Sequence, residues 1–259
     1  MNNMPAITGW TWLKEGTGLF RKQPAALTTL LFANILISLL ISAIPFIGPM
    51  LTVVLIPSFS MAFMQACLMI ENGERVLPTV AMTGFRQPAL AQLCKVGLIY
   101  LGVSLLLTVL ARFAVDPEFV RQFSQPVDPK NVPQVDLGNI LTMFLLSILN
   151  VSVLIALSFA APLTYWQKMT PGKAVFYSFF AVLKSARVFV VLLTSWFAIL
   201  FAVLMVLMLI LGGGNVARVA IMWLLFLFML LLQCALYAGY RHIFGKPAGS
   251  SARPVDLTK

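Results

Sequence analysis

Charge is scarce in this chain. Only 10% of its 259 residues are Asp, Glu, Lys or Arg, while 60% are hydrophobic. Soluble domains run nearer about 25% and 45–50%. A soluble core could not hide that much apolar surface, and the mean hydropathy of +0.95 agrees. The same balance excludes a disordered chain and a DNA-binding domain. Cysteine is sparse too: Cys67, Cys94 and Cys234 form no CxxC pair. An odd number excludes a purely intramolecular disulfide framework. There is one histidine, His242, and the acid nearest to it in sequence is Asp256, so sequence spacing gives it no acid partner. No glycine-rich phosphate loop, HExxH or GxSxG occurs. The expectation is a protein that is not an enzyme and holds no cofactor or metal.

What is present is long apolar runs. Gln23 to Ile70 is 48 residues without a charge, too long for one crossing of about 30 Å of hydrocarbon. Ile44-Pro45-Phe46-Ile47-Gly48-Pro49 breaks it, because proline and glycine end one helix and open another. The spacing predicts six transmembrane helices near 24–43, 50–70, 89–112, 138–165, 187–211 and 218–240. Together they form a single membrane domain over 1–245. The polar stretch 113–137 is the one long loop, and 246–259 reads as a disordered tail.

The net charge of +10 is a topology signal. Six spans put both termini on one side, and 14 of the 18 basic residues fall there. The other four, Arg112, Arg121, Lys130 and Arg218, are balanced by four acids. The positive-inside rule then makes both termini cytoplasmic and the long loop periplasmic. Anionic lipid headgroups become the expected counter-charge, and nucleic acid is not expected as a partner.

The spans also pair. Gly18-Leu19-Phe20-Arg21-Lys22-Gln23-Pro24 precedes the first, and Gly84-Phe85-Arg86-Gln87-Pro88 precedes the third. Before the fifth, Thr170-Pro171 opens a helix with Val175, Phe176, Phe179, Phe180 and Leu183 on one face. In the first segment Trp12, Leu13, Gly16, Leu19 and Phe20 share a face, with Lys14 and Arg21 opposite. The fold expected is therefore all-α: three helical hairpins, each preceded by a short amphipathic helix in the membrane interface. Small residues recur at every fourth position in the even spans: Ser58, Ala62 and Ala66; Ser152, Ala156 and Ala160; Ala235 and Gly239. That spacing lets helices approach closely, and it assigns spans two, four and six to an inner packing layer.

Gly9-Trp10-x-Trp12-Leu13-Lys14-x-Gly16, Leu19-Phe20-Arg21-Lys22-x-Pro24 and Ile44-Pro45-x-Ile47-Gly48-Pro49 resemble an uncharacterised family of bacterial six-span membrane proteins. More loosely, the layout is similar to YciC-like proteins and to the membrane domain of some glycerophosphodiester phosphodiesterases. The resemblance implies a bacterial inner membrane and carries no activity. No phosphodiesterase domain accompanies it.

No Asp, Glu, Arg or His lies in the middle of a span, and Lys95 is the deepest charge. That argues against carboxylate-coupled transport. Two readings follow. The first is a scaffold or accessory subunit that binds lipid or other membrane proteins, with Trp10, Trp12, Lys14, Arg21, Lys22, Lys173 and Lys184 as interfacial contacts. The second is a transporter or permeation protein for a small neutral or lipid-like solute, with Asn34, Gln65, Asn150 and Gln233 lining a polar cavity. Pro57 and Pro162 inside spans favour the second.

Overall fold

A computed structural model describes residues 4–116, 137–212 and 214–247. Most of the loop read at 113–137 and of the tail read at 246–259 lies outside the described residues. Among those described the chain is all helical, and six helices are long and apolar enough to cross a membrane.

In chain order these are α1 (Thr8–Lys22), α2 (Pro24–Ser42) and α3 (Gly48–Glu71), a 3-10 element (Pro78–Phe85), α4 (Ala89–Ala114), α5 (Leu137–Leu157), α6 (Ala160–Trp166), α7 (Pro171–Lys184), α8 (Ala186–Leu211) and α9 (Asn215–Phe244). Span boundaries fall where proline and glycine punctuate the sequence. Pro24, Pro49, Pro78 and Pro171 sit in first turns, where a missing N–H costs nothing. Gly212 (φ 64°) and Gly245 (φ 86°) close α8 and α9 in left-handed geometry.

The fourth span is interrupted between α5 and α6. Pro162 has no N–H for the carbonyl of Ser158, and its ring crowds that residue. Ser178 of α7 repairs the break: its hydroxyl donates to Ala156 O (2.6 Å) and accepts from Phe159 N–H (3.2 Å). Pro57 sits buried within α3 without dividing it.

The three segments before the odd spans follow one rule. Each packs on the even span of the preceding pair, and the first packs on the last. The α1 helix crosses α9 and α8, with Gly16 against the Ala235 backbone and Gly9 against Val188 and Leu192. The 3-10 element lies on α3, with Gly84 against Ser58. The α7 helix lies on α5 and α6 through Ala174, Ser178 and Ala181. The small-residue stripes of the even spans are therefore largely seats for these segments. At the seats of α1 and the 3-10 element a Cβ in place of Gly9, Gly16 or Gly84 would lie under 3.0 Å from backbone.

The inner layer is accordingly narrower than the sequence suggests. The even spans converge only over their halves on the side of the chain ends. There Met61, Ala62, Met64, Leu163, Cys234 and Tyr237 are fully or almost fully buried. Ser152 is exposed, as is most of α5. The far halves spread apart and present apolar side chains such as Leu106, Phe144 and Phe201 outward, as lipid contact allows.

Candidate functional site

Helices α1 and α7 turn different kinds of face to the bundle. In α1 the apolar face turns inward: Trp12 is 0% exposed, and Leu13 and Leu19 are buried beside it. In α7 the small face turns inward, and Phe176, Tyr177, Phe179, Phe180 and Leu183 face out. Phe176 and Phe180 touch at 4.5 Å between centroids. Trp12 is thus a correction to the set of lipid contacts read from sequence. Its ring packs edge-on to Phe189 and covers the bare face of Gly239, which is room only glycine leaves. Trp10 is half-buried, and Lys14 Nζ sits 5.5 Å from the centre of its ring. Lys14, Arg21, Lys22, Lys173 and Lys184 are all exposed.

The four polar residues read as a cavity do not share one. Gln65 accepts a hydrogen bond from Trp166 Nε1 at 3.1 Å, tying α3 to α6. Asn34 is buried at 5% exposure, and Gln233 Oε1 is enclosed as well. Asn150 is exposed and lines an open groove of about 730 Å³ between α4 and α5, with Thr108, Arg112 and Ser147. None of Asn34, Gln65 and Gln233 contributes to that groove.

A charged knot at the chain ends was illegible in the sequence. Arg241 of α9 is held between two carboxylates, Glu15 of α1 (2.5 Å) and Glu71 at the end of α3 (2.7 Å). Tyr237 donates its hydroxyl to the other Glu71 oxygen at 2.5 Å, and Lys246 lies 3.9 Å away. His242 does have an acid neighbour: Glu15 stands 3.7 Å from its Nε2, brought there by the docking of α1 on α9. Sequence spacing alone gives His242 no acid partner. These contacts join residues at least 166 positions apart, Arg241 and Glu15 being separated by 226, which no local pattern encodes. Each carboxylate is engaged by a cation, and the contacts tie α1, α3 and α9 together.

Two of the three cysteines also meet. Cys67 and Cys234 are buried with their sulfurs 3.6 Å apart, while Cys94 is half-buried and takes no part in that contact. Among the described residues no group of three or more His, Cys, Asp or Glu gathers as metal ligands would.

The second basic feature is a cleft of about 700 Å³ where α4 and α7 begin. Arg86, Gln87 and Gln92 line one side, and Lys168 and Thr170 the other.

Six apolar helices with their charge gathered at the ends define a multi-pass integral membrane protein. The chain is 32% identical over 252 residues to a protein of Burkholderia thailandensis named "Probable inner membrane protein"; the match covers 93% of this chain and 92% of that one. The chain belongs to the same family of inner-membrane proteins. No family model matches it, so the looser likeness to YciC-like proteins and phosphodiesterase membrane domains gains no support there. No solved structure matches it either.

Proposed function

We propose that the protein is a non-enzymatic inner-membrane scaffold or accessory subunit. In this reading three hairpins are arranged around a sealed core, with both termini cytoplasmic, and the basic segments before the odd spans gather anionic lipid or present themselves to another membrane protein. One observation carries the reading. Lys14, Arg21, Lys22, Lys173 and Lys184 are all exposed at the surface, while the apolar or small faces of their helices are consumed in docking. Bases beside exposed rings such as Phe176 and Phe180 suit a headgroup layer. Each base near an anionic surface contributes about 1 kcal/mol.

The test replaces these five bases with Gln and compares the variant with Asn34→Leu/Asn150→Leu in vesicles of mixed zwitterionic and anionic lipid. The five-base variant should lose anionic-lipid enrichment or partner recovery and still insert, since nine basic residues stay on the terminal side. Solute flux that is abolished in the asparagine variant alone would replace this reading with transport. The groove carrying Asn150, Thr108 and Ser147, with Pro57 and Pro162 inside spans, favours transport.

A further inference from the structure

The cleft between the 3-10 element, the start of α4 and the turn before α7 has the chemistry of an anion site. Two cations line it, Arg86 and Lys168, and no Asp or Glu does. Among the described residues neither cation has a carboxylate within ion-pair distance. Uncharged hydrogen-bonding side chains surround them: Thr83, Gln87, Gln92 and Thr170. Lys168 is placed by a left-handed backbone (φ 52°), one of two such non-glycine residues among those described. Helices α4 and α7 both start at the rim, and neither start has a side-chain cap. Their free N–H groups add partial positive charge.

The matching place one repeat earlier is closed. Gln23 precedes Pro24 as Gln87 precedes Pro88. The Gln23 amide fills its site, donating to Glu74 O (2.7 Å) and accepting from Val76 N–H (3.0 Å). Gln87 is exposed and lines the open cleft instead. The linker facing it carries Lys168 where the first linker carries Gly73, each the residue after the helix C-cap and each with positive φ (52° and 79°), and Met169 stands where the first linker has Glu74. The second site thus keeps the frame, opens the volume, gains a lysine in place of glycine and loses the carboxylate.

We infer that this cleft binds a phosphate ester of net negative charge, with Arg86 and Lys168 as its charge partners and Gln87, Gln92 and Thr170 as hydrogen-bond donors. The inference rests on the lipid-gathering reading only for the source of that phosphate, because a lipid headgroup and a soluble ester present the same group.

The experiment uses the full chain in nanodiscs of phosphatidylethanolamine and phosphatidylglycerol, with lipid retained after extraction weighed by native mass spectrometry. Arg86→Gln/Lys168→Gln should lower retained phosphatidylglycerol by at least about tenfold. Gln92→Trp, which fills the cleft and leaves its charge, should lower it similarly. Unchanged melting temperatures exclude misfolding. Titration with inorganic phosphate and with glycerol 3-phosphate tells the sources apart. Tight binding of either, lost in the double variant, assigns the site to a soluble ester, and retention of lipid alone assigns it to a headgroup. Wild-type retention and wild-type phosphate binding in both cleft variants would overturn the inference, whatever the five-base variant does. Loss in the cleft variants with wild-type enrichment in the five-base variant would keep the cleft and remove the broader reading.

Discussion

Replacing Gly16 and Gly18 by alanine one at a time tests whether α1 is truly seated in the bundle. The two glycines share a helix and lie two residues apart. In a helix interior alanine is favoured over glycine by about 1 kcal/mol. At Gly18 nothing lies within 4 Å of the new methyl group, so Gly18→Ala should stabilise the protein by about 0.5–1 kcal/mol. At Gly16 the same methyl would lie 2.5 Å from Ala235 N and 2.9 Å from Cys234 C, both backbone. Ordinary contact begins near 3.4 Å, so α1 and α9 must part by about 1 Å, and a gap of that size forfeits a quarter to a half of each neighbouring dispersion contact. Overpacking of this kind costs about 1–3 kcal/mol. After the propensity gain, Gly16→Ala should be destabilising by about 0–2 kcal/mol, and the two variants should differ by about 1–3 kcal/mol. Thermal unfolding in detergent, followed by a thiol-reactive dye that reports the buried Cys67 and Cys234, measures the difference. Equal melting temperatures for the two variants would refute the seat and return α1 to the membrane surface.

Three further outcomes are expected. Arg241→Met leaves Glu15 and Glu71 facing each other without their shared cation. Because these side chains keep 17–32% of their surface exposed, the loss should be about 1–2 kcal/mol and smaller at high salt; a loss indifferent to salt argues against an electrostatic clamp. Replacing Cys67, Cys94 and Cys234 together by Ala should leave folding and insertion intact, and stoichiometric metal bound by the wild type but not by this variant would contradict the packing role. Reporter fusions at Gln125 and at the C-terminus should report opposite sides of the membrane, and agreement between them would sink the six-span topology with cytoplasmic termini.

The sequence by itself determined the spans. Apolar runs of crossing length and the prolines that punctuate them are local quantities, and Pro24, Pro49, Pro78 and Pro171 mark helix starts in the fold. The division of the basic residues is also written along the chain. The apolar face of α1 is legible from helical period, but the sequence reads it against lipid, whereas the fold turns it inward: Trp12, Leu13, Gly16 and Leu19 are buried and Lys14 and Arg21 are not. Period alone gave no direction for α7, because a rich apolar face suits lipid as well as protein; the small residues Ala174 and Ser178 face the bundle instead. The second segment read as an amphipathic helix is a 3-10 element, which fits eight residues closing on Ser58. The fate of Trp12, the Glu15–Arg241–Glu71 knot, the Cys67–Cys234 contact and the cleft at Arg86 and Lys168 were decided only by tertiary structure. Each joins residues far apart in sequence, and whether a side chain meets lipid, a carboxylate or an open cleft depends on which helix docks across it, information that no window along the chain contains.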